Sequence, residues 1–260
     1  MTAPAKPGHA EPARLAPAQR KAADQDPADR EATLRFAVVM PVLDEGVQIA
    51  EVIAGLIGQT EQLLVVDGGS RDGTAALAHA AGAAVISAPR GRASQMNAGA
   101  AALMPGWSVV VFLHADTRLP VGWRDAVASS IRAGAQWGRF DVRLRSTHPM
   151  LGVVAAMMNL RSRLTGICTG DQAMFVTAAA WQQAGGFAPI ELMEDIELSA
   201  RLKRCAGHPG CLHDMVEVSA RRWERHGVWR TIATMWSLRL RYFLGESPRR
   251  LHERYYGARR

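Results

Sequence analysis

Two apolar runs in this chain end abruptly in acids, an arrangement able to grip a nucleotide and a metal ion. Leu64-Val65-Val66-Asp67-Gly68-Gly69-Ser70-Arg71-Asp72-Gly73-Thr74 passes from a strand pattern into an acid, two glycines and a second acid. Val109-Val110-Val111-Phe112-Leu113 likewise runs into His114-Ala115-Asp116-Thr117. A carboxylate at a strand end can accept the imino N–H of uracil or guanine, and glycines let the backbone approach closely. Asp67 and Glu45, with Asp44 nearby, are the candidates for that grip. Asp116 is the candidate metal ligand, because hard divalent cations favour carboxylate oxygen and a diphosphate supplies further oxygens. Plainer readings compete for other acids. Asp72 suits a helix cap, and Glu194 and Asp195 sit where a helix N-terminus welcomes negative charge.

Such acids meet only if the strands carrying them are neighbours. Residues 35–41 are an apolar run closed by proline, the pattern of a strand buried on both faces. After Val42-Leu43-Asp44-Glu45-Gly46, a helical pattern follows through Ile49, Val52, Ile53, Leu56 and Ile57. The spacing then predicts a strand at 62–66, a helix at 74–81 capped by Asp72, and a strand at 84–87. A polar loop from Arg90 to Asn97 enters an Ala-rich helix, and the fourth strand is 109–113. This alternation predicts parallel β-α-β units with right-handed crossovers. Ligands of such sheets lie outside the carboxyl ends of the strands. The second half changes character: 138–144 alternates as a half-exposed strand, 150–164 is a Met-rich helix, and 170–176 is a strand entered from a glycine turn. Residues 194–205 read as a helix and 228–244 as a basic amphipathic segment.

With 260 residues, 48% hydrophobic and 21% charged, the chain suits one sizeable domain. Residues 1–32, rich in Ala, Pro and charge, read as a disordered solvated tail without the apolar stretch of a secretory signal. The catalytic domain is expected at 33–226 and a basic helical segment at 227–260. Three cysteines, Cys168, Cys205 and Cys211, fit a reducing cytoplasm better than a disulfide framework. The net charge of +7 raises nucleic acid as a partner. Aromatics, at 6%, are too few and not interleaved with the basic residues as a stacking platform would need, so no nucleic acid is expected. The basic residues instead crowd the end: Arg221, Arg222, Arg225, Arg230, Arg239, Arg241, Arg249, Arg250, Arg254, Arg259 and Arg260. They suit a diphosphate, an anionic membrane surface, or solubility alone. No apolar stretch approaches the ~20 residues that span a bilayer.

Taken in order, these segments resemble a family 2 glycosyltransferase of the GT-A fold. They are Pro41-Val42-Leu43-Asp44-Glu45, Val66 to Thr74, Arg90-Gly91-Arg92 to Asn97-Ala98-Gly99, His114-Ala115-Asp116, Gly170-Asp171-Gln172, Glu194-Asp195 and Arg221-Arg222-Trp223. The subgroup most similar is the small soluble bacterial transferases whose metal motif starts with His. The resemblance covers nearly everything after the tail. It implies an α/β fold with a Rossmann-like, mostly parallel central sheet and helices on both faces. It also implies a nucleotide-diphospho-sugar donor, Mg²⁺ or Mn²⁺ as cofactor, and single displacement with inversion onto a hydroxyl or carboxyl acceptor.

By the same resemblance Asp195 is the base that deprotonates the acceptor, with Glu194 beside it, although capping ranks ahead for Glu194. Arg221, Arg222 and Trp223 would reach the diphosphate and sugar, forked guanidinium groups suiting phosphate oxygens. Asp171 or Gln172 would lie near sugar hydroxyls. Pro41, Gly69, Arg90 and Asn97 join the nucleotide-sugar contacts, as does Arg92, which also reads as a solvated helix-start residue. Three departures stand out. Gly68 replaces a frequent second Asp, His114 stands where the first metal-motif Asp is usual, and Ser219 takes the Gln position of the Gln-x-x-Arg-Trp pattern of processive synthases, which speaks against polymer synthesis. For His114, phosphate contact, Mn²⁺ ligation and a core spacer are all open, with contact outside the coordination sphere favoured.

The competing classes fit less well. A nucleotidyltransferase needs a Lys- and Gly-rich loop after the first strand, where this chain has Asp44-Glu45-Gly46, and a dinucleotide oxidoreductase needs G-x-G-x-x-G there. A non-enzymatic basic module for membrane or nucleic acid is the third class. Trp229, Trp236, Tyr242 and Phe243 among arginines suggest peripheral contact at the cytoplasmic face of the inner membrane, presenting a lipid or carotenoid-like acceptor, although such a segment is more often simply a packed C-terminal helix. Cys205, His208, Cys211 and His213 could bind zinc, but their spacing is not a standard signature and an ordinary loop is favoured.

Overall fold

A computed structural model describes residues 33–257; the expected tail at 1–32 lies outside the described residues. Its centre is an eight-stranded sheet of order β3-β2-β1-β4-β7-β6-β8-β5. The strands are β1 (Phe36–Val42), β2 (Gln62–Asp67), β3 (Ala84–Ser87), β4 (Val109–Phe112), β5 (Thr117–Arg118), β6 (Trp137–Arg145), β7 (Met174–Thr177) and β8 (Gly210–Ser219). Six of the eight run in one direction, and only β7 and β5 oppose them. Register brings the site's strand ends level, since β1 pairs Pro41 with Val66 and Val42 with Asp67, while Val39 pairs with Phe112 of β4. Asp67, Asp44 and Asp116 therefore leave the sheet at one edge.

Alternate residues of β1 enter different cores, Phe36, Val38, Met40 and Val42 on one face and Ala37 and Val39 on the other. Both faces are thus covered, which is why this strand reads as a continuous apolar run. The covering helices are α1 (Ile49–Ala54), α2 (Thr74–Ala80), α3 (Arg92–Ala102), α4 (Trp123–Arg132), α5 (Pro149–Thr165), α6 (Ala178–Ala184), α7 (Glu194–Cys205), α8 (Arg221–His226), α9 (Val228–Phe243) and α10 (Pro248–Tyr256). Helix α9 sends Val228 into the first core. Leu238 of α9 and Leu251 of α10 close a small third cluster with Met193.

Three local expectations are corrected. Strand β6 is not half-exposed: Arg139 is fully buried and Asp141 nearly so. Its alternating polar residues satisfy one another inside, Arg139 pairing with Asp141, whose other oxygen meets Arg163 at 2.6 Å. Gly170–Gln172 is not strand but a 3-10 turn closed by a reciprocal cap between Thr169 and Gln172, and β7 starts only after Ala173 turns through a left-handed φ of 47°. The Cys-His segment is loop only over 206–209, since Cys205 ends α7 and β8 begins at Gly210, held parallel to β6 from the Gly138–Gly210 pair onward.

Candidate active site

At the end of β2 the Asp67 carboxylate accepts the N–H groups of Gly69 and Ser70 at 3.1 Å, as well as the Ser70 hydroxyl. The same serine hydroxyl receives the Asp44 N–H at 2.9 Å, and Asp44 in turn accepts the Arg71 N–H at 2.8 Å. The two strand ends are laced into one polar rim. Beneath it the buried Gln95 amide donates to the carbonyls of Val42 and Val66 at 2.8 and 2.7 Å. A Cβ at Gly68 would meet that amide at 3.1 Å, so the usual second acid would need the Gln95 side chain to give way. Glu45 closes the rim from β1, holding Arg221 at 3.0 Å and Gln48 at 2.9 Å.

Beside the rim lies a denser charge cluster. His114, only 8% exposed, faces Asp171 with its Nδ1 3.3 Å away. Gly170 makes this possible, since a Cβ there would come within 2.5 Å of the imidazole. The Gly170 N–H donates to Asp195 at 2.9 Å, and the other Asp195 oxygen takes the Ile196 N–H at 2.7 Å. Asp171 keeps 42% of its side chain open although protein atoms crowd round it, as at the wall of a crevice. Burial raises its pKa, but the hydrogen bond from His114 and the charges of His114, Arg92 and Arg222 outweigh this and hold it at about 2. Arg92 is the hub. Burial opposes its charge, yet Tyr256, Glu194, Asp171 and Asp195 hold its proton more firmly than water would.

Asp116 has spare coordination capacity. Among the described residues its carboxylate meets only the Thr117 hydroxyl at 3.2 Å, while its backbone carbonyl is fixed by the Ser219 N–H at 3.0 Å. Among the described residues no three His, Cys, Asp or Glu side chains stand close enough to hold a metal ion. A cation at Asp116 must therefore draw most of its ligands from substrate and water, which matches a diphosphate complex of Mg²⁺ or Mn²⁺. The Cys-His segment does not gather either: His213 turns to Asp141 and Arg163.

Backbone strain marks the same region. Among the described residues the non-glycine positions with positive φ are Asp44, Ala173 and Met193. The first lies two residues beyond β1, the second follows the Gly170–Gln172 turn, and the third immediately precedes Glu194 and Asp195. Conformations this costly persist where surrounding structure enforces them, commonly at working sites.

Not every expected residue joins the cluster. Asn97 spends its amide on both backbone groups of Phe187, at 2.8 and 2.9 Å. Gln172 is fully buried and bonds Ser162 at 3.0 Å. Trp223 leans on the first core, Pro41 is buried within β1, and Arg90 is exposed. Arg222 does join, reaching the Tyr255 hydroxyl at 2.6 Å and lying over its ring. Tyr255 and Tyr256 are the participants the sequence did not signal, because nothing local to α10 says that it folds back. Arg92 was legible in one respect: a cation in the first turn of a helix opposes the helix dipole.

The family model for glycosyl transferase family 2 matches residues 37–178, more than half the chain. The chain belongs to this family. It is a glycosyltransferase, and its sheet is that of the GT-A fold. Among solved structures it is similar to glucosyl-3-phosphoglycerate synthase from Mycobacterium tuberculosis with Mg²⁺ and uridine-diphosphate, at TM-score 0.55 and 20% identity over 73% of this chain and 72% of that one. The same enzyme with Mn²⁺, uridine-diphosphate-glucose and phosphoglyceric acid gives 0.54 and 21%, with 73% and 72% covered. A structure described only as a mycobacterial protein gives 0.52 and 23%, with 74% and 67% covered. No curated protein sequence matches.

One prediction arises from the glycosyltransferase's buried acid. Burial first, then the adjacent Asp195 charge, pushes Glu194 from 4.5 up to about 7 against the pull of Arg92. A carboxyl whose folded value is raised stabilises most below its unfolded value, and that stabilisation is lost as pH rises through about 7. Asp171 acts in the opposite sense, its contribution being lost as pH falls from 3.8 through about 2. Glu194→Gln should therefore melt close to wild type near pH 4.5 but, at pH 8, be the more stable protein by on the order of 2 kcal/mol. Melting temperatures across pH check this; a constant difference between the two proteins at all pH values would refute it.

Proposed function

We propose that this chain moves a sugar from a nucleotide-diphospho-sugar to a hydroxyl or carboxyl acceptor by metal-assisted single displacement with inversion. The observation that carries the reading is the set of contacts at the carboxyl edge: Glu45 to Arg221, His114 to Asp171, and Gly170 to Asp195. Asp67, Asp44 and Glu45 form the nucleotide rim, with Gly69 giving close backbone approach. Arg221, Arg222 and Arg92 face the diphosphate, and His114 steadies Asp171 beside the sugar. Asp116 would hold Mg²⁺ or Mn²⁺, which when bound offsets the charge developing on the departing diphosphate. The solved structures containing those ions with uridine-diphosphate support this choice.

Asp195 stands half-buried at the start of α7 with each oxygen accepting one N–H, so lone pairs remain for the acceptor. It takes the acceptor's proton as the freed oxygen attacks the anomeric carbon opposite the diphosphate. The bond from that carbon to the diphosphate oxygen breaks, and the configuration inverts. On this reading residues 33–226 are the transferase domain, and the segment that follows is helical over Val228–Phe243 and Pro248–Tyr256. Cys168, Cys205 and Cys211 are unpaired, in keeping with a reducing cytoplasm.

The test is a thermal-shift screen of UDP-, GDP- and dTDP-sugars with Mn²⁺. One nucleotide should raise the melting temperature by several degrees only when the cation is present. No shift with any of them would contradict the proposal.

A further inference from the structure

Two helices carry an apolar stripe on the side turned away from the core. Helix α9 buries Val228, Thr231 and Leu238, while Trp229, Trp236, Leu240 and Phe243 stand 59–86% exposed. Their spacing puts them on one face. Helix α5 repeats the arrangement, with Leu151, Ala155 and Ser162 inward and Val153, Met157, Leu160 and Leu164 outward at 50–74% exposure. Leu151 and Ala155 of α5 and Val228 of α9 enter the first core, while Leu238 of α9 packs in the third cluster. A 2.9 Å bond from Ser146 to Glu224 joins the segments leading into the two helices. Exposed apolar stripes of this size mark a place of interaction.

The charge beside the stripe identifies the partner. In sequence, residues 221–260 hold eleven arginines against three glutamates, of which Arg221 and Arg222 turn to the site described above. Arg225 and Arg230 are exposed at the start of α9. At its far end Arg241, Arg250 and Arg254 line a recess of about 420 Å³ with Leu244 and Glu246, the glutamate pairing with Arg241 and Arg254 and leaving Arg250 as its free cation among the described residues. A second copy packed across a two-fold axis would set these arginines against one another. Indole rings, aliphatic side chains and flanking arginines together suit the interface of a bilayer with anionic headgroups.

We propose that the outward faces of α9 and α5 dock this protein on an anionic lipid surface, with Trp229 and Trp236 at headgroup depth. No helix among the described residues is long and apolar enough to cross a membrane, so the contact is peripheral. On its inner side α9 places Leu238 against Met193, the residue before Glu194 and Asp195. Resting on the transferase reading above, the docked face thereby backs onto the acceptor side of the site and favours a membrane-borne acceptor.

The experiment is co-sedimentation of the full chain with vesicles of phosphatidylglycerol and phosphatidylcholine, or of phosphatidylcholine alone. The protein should pellet with the anionic vesicles and far less with the neutral ones. The triple variant Trp229→Ser/Trp236→Ser/Phe243→Ser should partition at least tenfold less, and Met157→Ser/Leu160→Ser and Arg225→Glu/Arg230→Glu should each weaken binding severalfold. Wild type remaining in the supernatant, or a triple variant that pellets like wild type, would overturn the proposal. So would light scattering that shows a dimer which the triple variant converts to monomer, since that assigns the face to a second copy. Should the triple variant fail to fold, tryptophan emission of the intact protein decides: a blue shift with anionic vesicles supports docking, and unchanged emission refutes it. Donor-induced thermal shifts, read without vesicles, report separately on the transferase reading.

Discussion

Asp195→Asn is expected to reduce sugar transfer by about 10³-fold while leaving donor affinity within about twofold. Asparagine keeps the shape and one acceptor oxygen, so the Gly170 N–H at 2.9 Å retains a partner, but the amide cannot take a proton from the acceptor. The plainer view of Asp195 as a helix cap makes the opposite forecast. Asparagine is a good residue at a helix N-terminus, so a mere cap would preserve turnover. Single-turnover transfer beside donor calorimetry separates the two, and full turnover in the variant would end the catalytic assignment.

Asp116→Ala is expected to cost the cation-dependent part of donor binding, about 2 kcal/mol or roughly thirtyfold in Kd. The fold should survive this change. The backbone carbonyl of Asp116, rather than its side chain, anchors the Ser219 N–H, and among the described residues the carboxylate touches only the Thr117 hydroxyl. His114 differs in that its imidazole is buried and committed to Asp171. Truncating His114 would also loosen the Gly170 turn and the Asp195 contact, so Asp116 gives the cleaner test of metal binding.

The first half of the sheet was legible because β1, β2 and β4 are buried on both faces and their sequences are correspondingly unbroken apolar runs. The bounds of β3 followed from Gly82 before it, and α7 from Ile196, Leu198, Ala200 and Leu202 spaced among charged residues. Strand β6 misled because its alternating Arg139 and Asp141 look like a solvent face, whereas partners distant in sequence, such as Arg163, satisfy them inside. Strand β8 was hidden by glycine, proline and histidine at its start, and only pairing with β6 makes it a strand. In the site, the acids at strand ends declared themselves through position. The employment of Asn97 on Phe187 and the return of Tyr255 to Arg222 depend on contacts between segments far apart in the chain. No local pattern carries that information.

The central claim is that the carboxyl edge bearing Asp67, Asp116 and Asp195 binds a nucleotide diphosphate together with a divalent cation. Calorimetric titration of wild type and Asp116→Ala with the donor nucleotide, with and without Mn²⁺, measures this most directly. The account predicts that Mn²⁺ tightens binding to wild type by roughly thirtyfold and leaves the variant unchanged. Equal affinities in all four titrations, or the same tightening in both proteins, would contradict it.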